Sequence, residues 1–538
     1  MVSGARLILE SLRDLGVDKI FIVSGTDHVA FIEEKVRDPS LPDLEVVPHE
    51  ITAVSAAMGY SFSGKVGVAL VHTTPGTANA IGVLMDAFTA RIPVILIAGR
   101  SPYTEFGSNA SRDLRIHWAQ DSERQEEMVR DYVKYAFEIK RVEQIPETIT
   151  RAYQIAFSEP RGPVYIVVPR EVTVEDGEMR KVKMSPFEPG ATKKAIAEAK
   201  ELINRSERPV IVTWNLGRRR DWFDSLKLFA DAINIPVINY VGGYVNYPST
   251  GDMALDHFDL STSDLIIVVE NDVPWIPKKV KIKGTVIRVD TEPSYSSIPF
   301  YGFSCDLCVQ STPSDFFDKL LAEGLKPKDR EWIIRAKREQ EARKLEEVEK
   351  LKDKKPIKPK YLSWEVGKLI DEDTIVVNEY SFNPRYAKLS NYGSYIAGPP
   401  AGYLGWGLGA SIGVKAAKRD RTVIATIGDG QFIFGVPEAF YYASVKYPVL
   451  VVLFDNKGWL SVEDEVREVF PEGEALKRSQ YPGVRFDGYM LGKGIEGYGG
   501  YYKLVEEPED VEPSLREGLN KVKEGKPAIV HFVVDRVR

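Results

Sequence analysis

Two loops, each following an apolar run, carry residue types suited to hold a divalent metal and a diphosphate. In TVIATIGDGQFIFGVPEAFYYASVKYPVLVVLFDNKGW, residues 422–459, one run ends in Gly428-Asp429-Gly430 and the next in Asp455-Asn456-Lys457-Gly458-Trp459. A helical pattern separates them, so the two runs are expected to be parallel strands ending on one sheet edge, where open α/β sheets bind ligands. Asp429 offers a hard carboxylate, Asn456 a neutral carbonyl, and Gly458 a backbone carbonyl that glycine allows to turn inward. Such oxygens suit Mg²⁺, which takes its remaining ligands from phosphates and water. Gly430 is expected to let the backbone approach a phosphate, and a helix starting near Gln431 to offer it free N–H groups. Either loop alone is an ordinary glycine turn. Together, in strand–helix–strand order, they read as a metal–diphosphate site.

A second group lies near the N-terminus, where four of the six histidines fall within residues 1–117. His28 follows KIFIV, His49 follows LEVV, and His72 ends VGVALV, so all three sit at strand C-termini. Glu50 opens the helical stretch ITAVSAAMGYSFSG, as a capping charge would, but on the same sheet edge as His28 and His72. A zinc site built on His28, His49 and His72 is the rival reading of this group.

The elements that must position these residues follow from short β-branched runs alternating with longer helical patterns, the mark of parallel sheets covered by helices. The fold class expected is α/β, with three doubly wound domains spanning 1–175, 190–325 and 361–538. Residues 326–360, dense in interspersed acids and bases, read as a solvated helical linker between domains. Hydrophobic residues make up 43% of the 538 and charged ones 28%, enough for sizeable cores. The net charge of −7, without a Lys/Arg block, argues against nucleic-acid or anionic-membrane partners. The N-terminal MVSGARLILESLRDLGV has acids within its apolar pattern and reads as an amphipathic helix rather than a signal peptide. No run approaches a membrane span, and a cytoplasmic enzyme is expected. Cys305 and Cys308, the only cysteines, lack partner histidines at zinc spacing and read as plain structural residues. Gly405-Trp406-Gly407-Leu408-Gly409-Ala410 fits a relaxed dinucleotide fingerprint, but AGPPAGYL before it cannot be the central strand that fingerprint requires.

The GDG…DNKGW segment resembles the metal–diphosphate signature of the thiamine-diphosphate enzymes, in the branch of acetolactate synthase, benzoylformate decarboxylase and 2-hydroxyacyl-CoA lyase. The resemblance spans essentially the whole chain, as pyrimidine-binding, middle and diphosphate-binding domains in that order. It implies Asp429, Asn456 and the Gly458 carbonyl as Mg²⁺ ligands, with Gly428, Gly430, Gln431 and Trp459 around the cofactor. It implies Leu404 as the apolar wedge that bends the cofactor. Glu50 matches the glutamate that bonds the aminopyrimidine ring and thereby activates the thiazolium carbon. VHTTPGTANAIGVLMDAFTARIPVILIAG, residues 71–99, is similar to benzoylformate decarboxylase, which makes His72 an acid/base on the substrate oxygen and places Asn79 near the cofactor. Asp27 and His28 match a substrate-facing loop; Arg112, Arg115, His117 and Gln120 match a substrate channel.

Two departures bear on the reaction. His72 is followed by Thr73, so the paired histidines of pyruvate decarboxylases are missing, and ENDVPWIPKK (270–279) lacks benzoylformate decarboxylase's middle-domain histidine. The expected activity is carbon–carbon lysis or ligation on a 2-oxo acid, acetolactate-synthase-like. A 2-hydroxyacyl-CoA lyase and a benzoylformate-decarboxylase-like enzyme are the alternatives. The family implies a homodimer or homotetramer with the site at a subunit interface. Nothing in 190–325 resembles a flavin site, so FAD stays open as a second cofactor without being indicated.

Overall fold

Runs of β-branched residues too short for helices, and buried on both faces, form strands wherever helices can cover them. The computed structural model, which describes residues 1–486 and 490–536, arranges them in three six-stranded sheets, parallel throughout. The first contains β1 (Lys19–Ile22), β2 (Asp43–Val46), β3 (Gly67–Val71), β4 (Val94–Arg100), β5 (Tyr135–Glu138) and β6 (Val164–Pro169), in the order β2-β1-β3-β4-β6-β5. The second contains β7 (Pro209–Thr213), β8 (Val237–Ile238), β9 (Ala254–Leu255), β10 (Leu265–Val269), β11 (Thr285–Asp290) and β12 (Leu307–Gln310), in the order β9-β8-β7-β10-β11-β12. The third contains β13 (Thr374–Glu379), β14 (Tyr395–Ala397), β15 (Thr422–Gly428), β16 (Leu450–Asp455), β17 (Tyr501–Val505) and β18 (Ala528–Val533). Its order, β14-β13-β15-β16-β18-β17, repeats that of the first sheet. In both, chain direction across the sheet reverses between the first and third strands, and the crevice for ligands opens at their carboxyl ends. Asp27 and His72 sit there in the first sheet; Asp429 sits there in the third.

One core runs through the first and third sheets. Helix Glu50–Phe62 lies on helix Trp406–Ala417, and Val54, Met58, Leu408 and Ile412 belong to the same buried cluster. A Cβ on Gly59 would lie 2.0 Å from the Ala410 carbonyl oxygen, and one on Gly413 1.9 Å from that of Ala56. The two backbones touch, and only hydrogen at these positions permits it. The middle sheet has a separate core around Trp222, Phe229, Phe316 and Phe317.

Two expectations gain detail. The charged helix Glu331–Leu351 is largely solvent-facing, with only Ile333 and Val348 buried, and it is docked by a few contacts: Ile333 lies in the middle core, Lys337 donates to the carbonyls of Ser249 and Gly251, and Lys344 pairs with Asp256 at 2.8 Å. Long Lys stems let a helix with few apolar residues strap onto a surface. Cys305 and Cys308 are joined in a disulfide, which brackets the start of edge strand β12. No helix among the described residues is long and apolar enough to cross a membrane.

A buried acid pair faces across the seam between the first and third sheets. Asp86 is fully buried; its Oδ1 accepts the Tyr403 N–H at 3.1 Å, and its Oδ2 has no partner. Glu379, at the end of β13, accepts the N–H groups of Gly405 and Gly407 at 2.5 and 2.8 Å. Burial, with the Glu379 charge added, pushes Asp86 up to about 9, and burial pushes Glu379 up to about 7. Asp86 therefore keeps its proton in the fold where the unfolded chain has lost it. Its contribution to stability is full below about pH 4 and declines as pH rises to about 9. Asp86→Asn retains an acceptor for Tyr403 and carries no charge. It should raise the thermal midpoint more at about pH 8.5 than at about pH 5.5, and equal shifts at both would refute the buried acid.

Candidate active site

The third sheet brings the two sequence loops together as expected. β15 and β16 are adjacent and parallel, so Asp429 and Asn456 share an edge. They line a cavity of ≈ 720 Å³ together with Gly430, Gln431, Gly458, Trp459 and Leu404. Asp429 is 2% exposed; its Oδ1 accepts the Gly430 N–H and its Oδ2 the Gly458 N–H, both at 2.8 Å. Each oxygen keeps a free lone pair. Asn456 Oδ1 is buried and has no hydrogen-bond partner. The Gly458 carbonyl accepts the Leu460 N–H at 3.0 Å, which leaves it one lone pair. An orphaned amide oxygen beside a buried carboxylate and a carbonyl is a set of hard donors, and it fits Mg²⁺. Burial, with Asp455 alongside, holds the Asp429 carboxyl above its ordinary range.

Two local readings change. The helix begins at Asp429 itself and runs only to Phe434, so the Gly430 N–H is spent on the Asp429 carboxylate. A Cβ on Gly430 would meet the Trp459 ring at 2.1 Å, so this glycine also makes room for Trp459 at the cavity wall. Gly458 has φ +150°, and a Cβ there would lie 2.3 Å from the Val484 carbonyl oxygen. Behind the loop, His531 Nε2 donates to Asp455 Oδ2 at 2.9 Å, and Asp455 Oδ1 accepts the Lys457 N–H at 2.8 Å. The strand before this edge adds Tyr380 and Ser381 to the cavity, which the sequence reading missed. Their signal was present: polar residues directly following an apolar strand, on the edge shared with β15.

The first sheet assembles a proton-handling group. Glu50 is 9% exposed and accepts the Asn79 Nδ2–H at 3.0 Å. His72 Nδ1 donates to Asp27 Oδ1 at 2.5 Å, and its Nε2 donates to Gln120 Oε1 at 3.1 Å. Burial lowers the His72 imidazole, but the Asp27 carboxylate, with smaller help from Gln120 and Glu50, more than reverses this and raises it. Burial would raise Asp27, yet the two imidazoles, His28 first, hold it well below the usual carboxylate range. Glycines make the space: a Cβ on Gly99 would lie 1.5 Å from Asp27 Oδ2, and one on Gly25 2.1 Å from His72 Nδ1.

Other candidates are placed differently. His28 is fully buried, accepts the Gly25 N–H and donates to the Val71 carbonyl, so it supports Asp27 from behind instead of facing substrate. His49 Nδ1 caps its helix by accepting the Ile51 N–H. Among the described residues no three His, Cys, Asp or Glu side chains form a metal-holding group, which removes the zinc reading of the three histidines. Arg112 is tied to Asp121 and the Pro102 carbonyl, His117 is buried beneath its loop, and Arg115 is exposed. Of that segment, only Gln120 reaches His72. No strand ends directly before Gly405, which instead caps helix Trp406–Ala417 at φ +93°, so the dinucleotide fingerprint is absent in fact.

A doubly wound α/β fold with an oxygen-lined cavity on one sheet and a carboxylate–histidine group on another defines a cofactor-dependent enzyme. Residues 2–128 match the family described as thiamine pyrophosphate enzyme, N-terminal TPP binding domain, and residues 381–532 match its C-terminal TPP binding domain. The chain belongs to the thiamine pyrophosphate-dependent enzymes. It is 25% identical to the acetolactate synthase large subunit of Haemophilus influenzae, over 96% of this chain and 92% of that one. It is equally similar, at 25%, to a probable acetolactate synthase large subunit of Methanocaldococcus jannaschii, over 99% and 92%. Its fold matches benzoylformate decarboxylase of Polynucleobacter necessarius at a TM-score of 0.82 and 20% identity, over 100% of this chain and 99% of that one.

Replacing Asp429 with Asn removes the one charged oxygen of the donor set. Calorimetric titration of thiamine diphosphate with Mg²⁺ into stripped Asp429→Asn protein should show binding weakened on the order of a hundredfold, or about 3 kcal/mol. Unchanged affinity would take the metal away from this loop.

Proposed function

We propose that the chain is a thiamine-diphosphate-dependent lyase or carboligase acting on a 2-oxo acid, in the manner of an acetolactate synthase. The observation that carries this reading is the Asp27–His72 pair, its carboxylate buried and its imidazole partly open, on the same sheet edge as Glu50. When bound, thiamine diphosphate supplies the electron sink for breaking or making a bond next to a carbonyl. Asp429, Asn456 and the Gly458 carbonyl would hold Mg²⁺ and through it the diphosphate, and Leu404 would support the rings. Glu50, oriented by Asn79, would face the aminopyrimidine and offer it a carboxylate for proton exchange. His72, whose imidazole Asp27 raises and orients, would donate to the developing charge on the substrate oxygen. The large cavity is lined only by residues from Pro359 onward, so Glu50 does not enter it within one chain. This supports a homodimer, or a tetramer of dimers, in which Glu50 of one copy serves the cavity of another. The resemblance to acetolactate synthases over nearly the full length supports the ligation chemistry.

Glu50→Gln should bind cofactor and Mg²⁺ with little loss, yet exchange the cofactor's C2 proton about a hundredfold or more slowly, since an amide cannot shuttle a proton. Quenched-flow deuterium exchange read by NMR measures this, and equal rates in both proteins would reduce Glu50 to a helix-start charge.

Turnover of a panel of 2-oxo acids, with carbon dioxide and organic products both quantified, tests the function itself. Pyruvate should give acetolactate or acetoin in excess of acetaldehyde, because only one histidine is available to protonate the reacting carbon and expel product. His72→Ala should cut turnover about 10²–10⁴-fold while leaving C2 exchange unchanged. Quantitative acetaldehyde would favour a simple decarboxylase. Cleavage of a 2-hydroxyacyl-CoA with no 2-oxo acid consumed would move the assignment to a lyase.

A further inference from the structure

The loop after β16 is shaped by donors from outside it. Lys457 stands at φ +63°, a conformation that a residue with a Cβ adopts at a cost, and Gly458 follows at φ +150°. The Asp455 carbonyl accepts the Val534 N–H at 2.8 Å, the Lys457 carbonyl the Phe486 N–H at 3.0 Å, and the Gly458 carbonyl the Leu460 N–H at 3.0 Å. The Asn456 carbonyl is taken by a side chain instead. Arg536, just past the end of neighbouring strand β18, donates through Nη1 to that carbonyl at 2.6 Å and to the Lys457 carbonyl at 3.0 Å. Its Nη2 donates to Glu463, a carboxylate 1% exposed in helix Leu460–Val469. The other Glu463 oxygen faces Arg467 and Arg485. Among the described residues the Arg467 guanidinium bonds no carbonyl of the loop. Asn456 and Gly458 line the large cavity, whereas Lys457 and Arg536 stand outside its lining.

We propose that Arg536 is a positioning residue for the metal loop: drawing the Asn456 and Lys457 carbonyls to one guanidinium, it leaves the Asn456 side chain and the Gly458 carbonyl turned to the cavity. This rests on the reading of Asp429, Asn456 and Gly458 as Mg²⁺ donors. Two carbonyls drawn one way, followed by one turned the other, demand the strained backbone at Lys457, and a strained turn persists only where its surroundings over-determine it. A forked, planar donor suits that task, since one nitrogen spans both carbonyls while the other anchors on the buried Glu463. An ammonium is a point charge and cannot keep all three bonds in this geometry. The anchor also ties the loop to the helix whose first residues, Leu460 to Val462, line the cavity.

The test uses full-length protein freed of divalent metal and kept in excess thiamine diphosphate, into which Mg²⁺ is titrated calorimetrically. Arg536→Gln should weaken Mg²⁺ binding about 10–100-fold, the usual loss when a group that orients metal ligands is removed. Arg536→Lys should weaken it severalfold, and decides the matter should Arg536→Gln fail to fold. Arg467→Gln also takes a partner from Glu463 but leaves the loop carbonyls alone, so it should bind Mg²⁺ as the wild type does. A lower thermal midpoint of the metal-free Arg536 variants with wild-type Mg²⁺ affinity would make Arg536 a plain structural tie and overturn the proposal. An equal loss of affinity in Arg467→Gln would overturn it too, by assigning the effect to Glu463. If instead Asp429→Asn binds Mg²⁺ as tightly as the wild type, the metal site itself fails, and the role of Arg536 falls with it.

Discussion

The contact between helices Glu50–Phe62 and Trp406–Ala417 is the constraint on which the remaining geometry hangs. Gly59 and Gly413 let the two backbones meet, which no side chain could replace without separating the sheets behind them. That spacing fixes the start of one helix at Glu50 and the start of the other at Gly405. Glu379 then closes the arrangement, its carboxyl oxygens taking the N–H groups of Gly405 and Gly407 that would otherwise lack partners at a helix N-terminus. Leu404, next to that cap, reaches the large cavity as a consequence of the same packing. A seam between two domains thus sets the position of residues on both proposed halves of the site.

The repeated strand order gives the arrangement its economy. In each of the two outer sheets the crevice lies between the first and third strands, and the chain places its polar residues there: Asp27 and His72 in one, Tyr380, Ser381 and Asp429 in the other. Strands buried on both faces spend almost all their side chains on packing. Their carboxyl ends are the first positions free to do anything else. The middle sheet, with a different order, presents instead a set of ion pairs that fasten it to the first domain through Arg91 and Arg218.

Much of this was legible in the sequence because strand ends are. The GDG and DNKGW loops, His72 and Glu50 each directly follow or open an element whose period is unmistakable, so their convergence could be anticipated. Details set by contacts across long sequence separations could not. That Gly430 yields to Trp459 depends on a ring 29 positions away in the chain and on where its helix turns. His28 and Asp27 are neighbours in sequence, yet one is buried support and the other the partner of His72. The distinction comes from Gly25 and the Val71 carbonyl, which no local pattern reveals. The helix Glu331–Leu351 reads as the solvated rod its composition describes, but the few Lys stems and the Ile333 that dock it leave no local pattern.

Buried carboxyls show how one fold sets different charge states with a single chemical group. Asp27 is held as an anion by two imidazoles, whose attraction exceeds the penalty of burial. Asp86 has one backbone donor and an acid for a neighbour, so burial wins and it keeps its proton. Glu379 lies between, drawn down by two backbone donors but buried completely. Asp429 also receives two backbone donors, yet it is buried with Asp455 beside it, and its carboxyl is held above the ordinary range. Asp455 cannot be that site's second free charge, because His531 and the Lys457 N–H already engage it. One uncommitted carboxylate, one orphaned amide oxygen and one carbonyl remain, and this is the balance of charge that suits a divalent ion carrying a diphosphate rather than a bare metal cage.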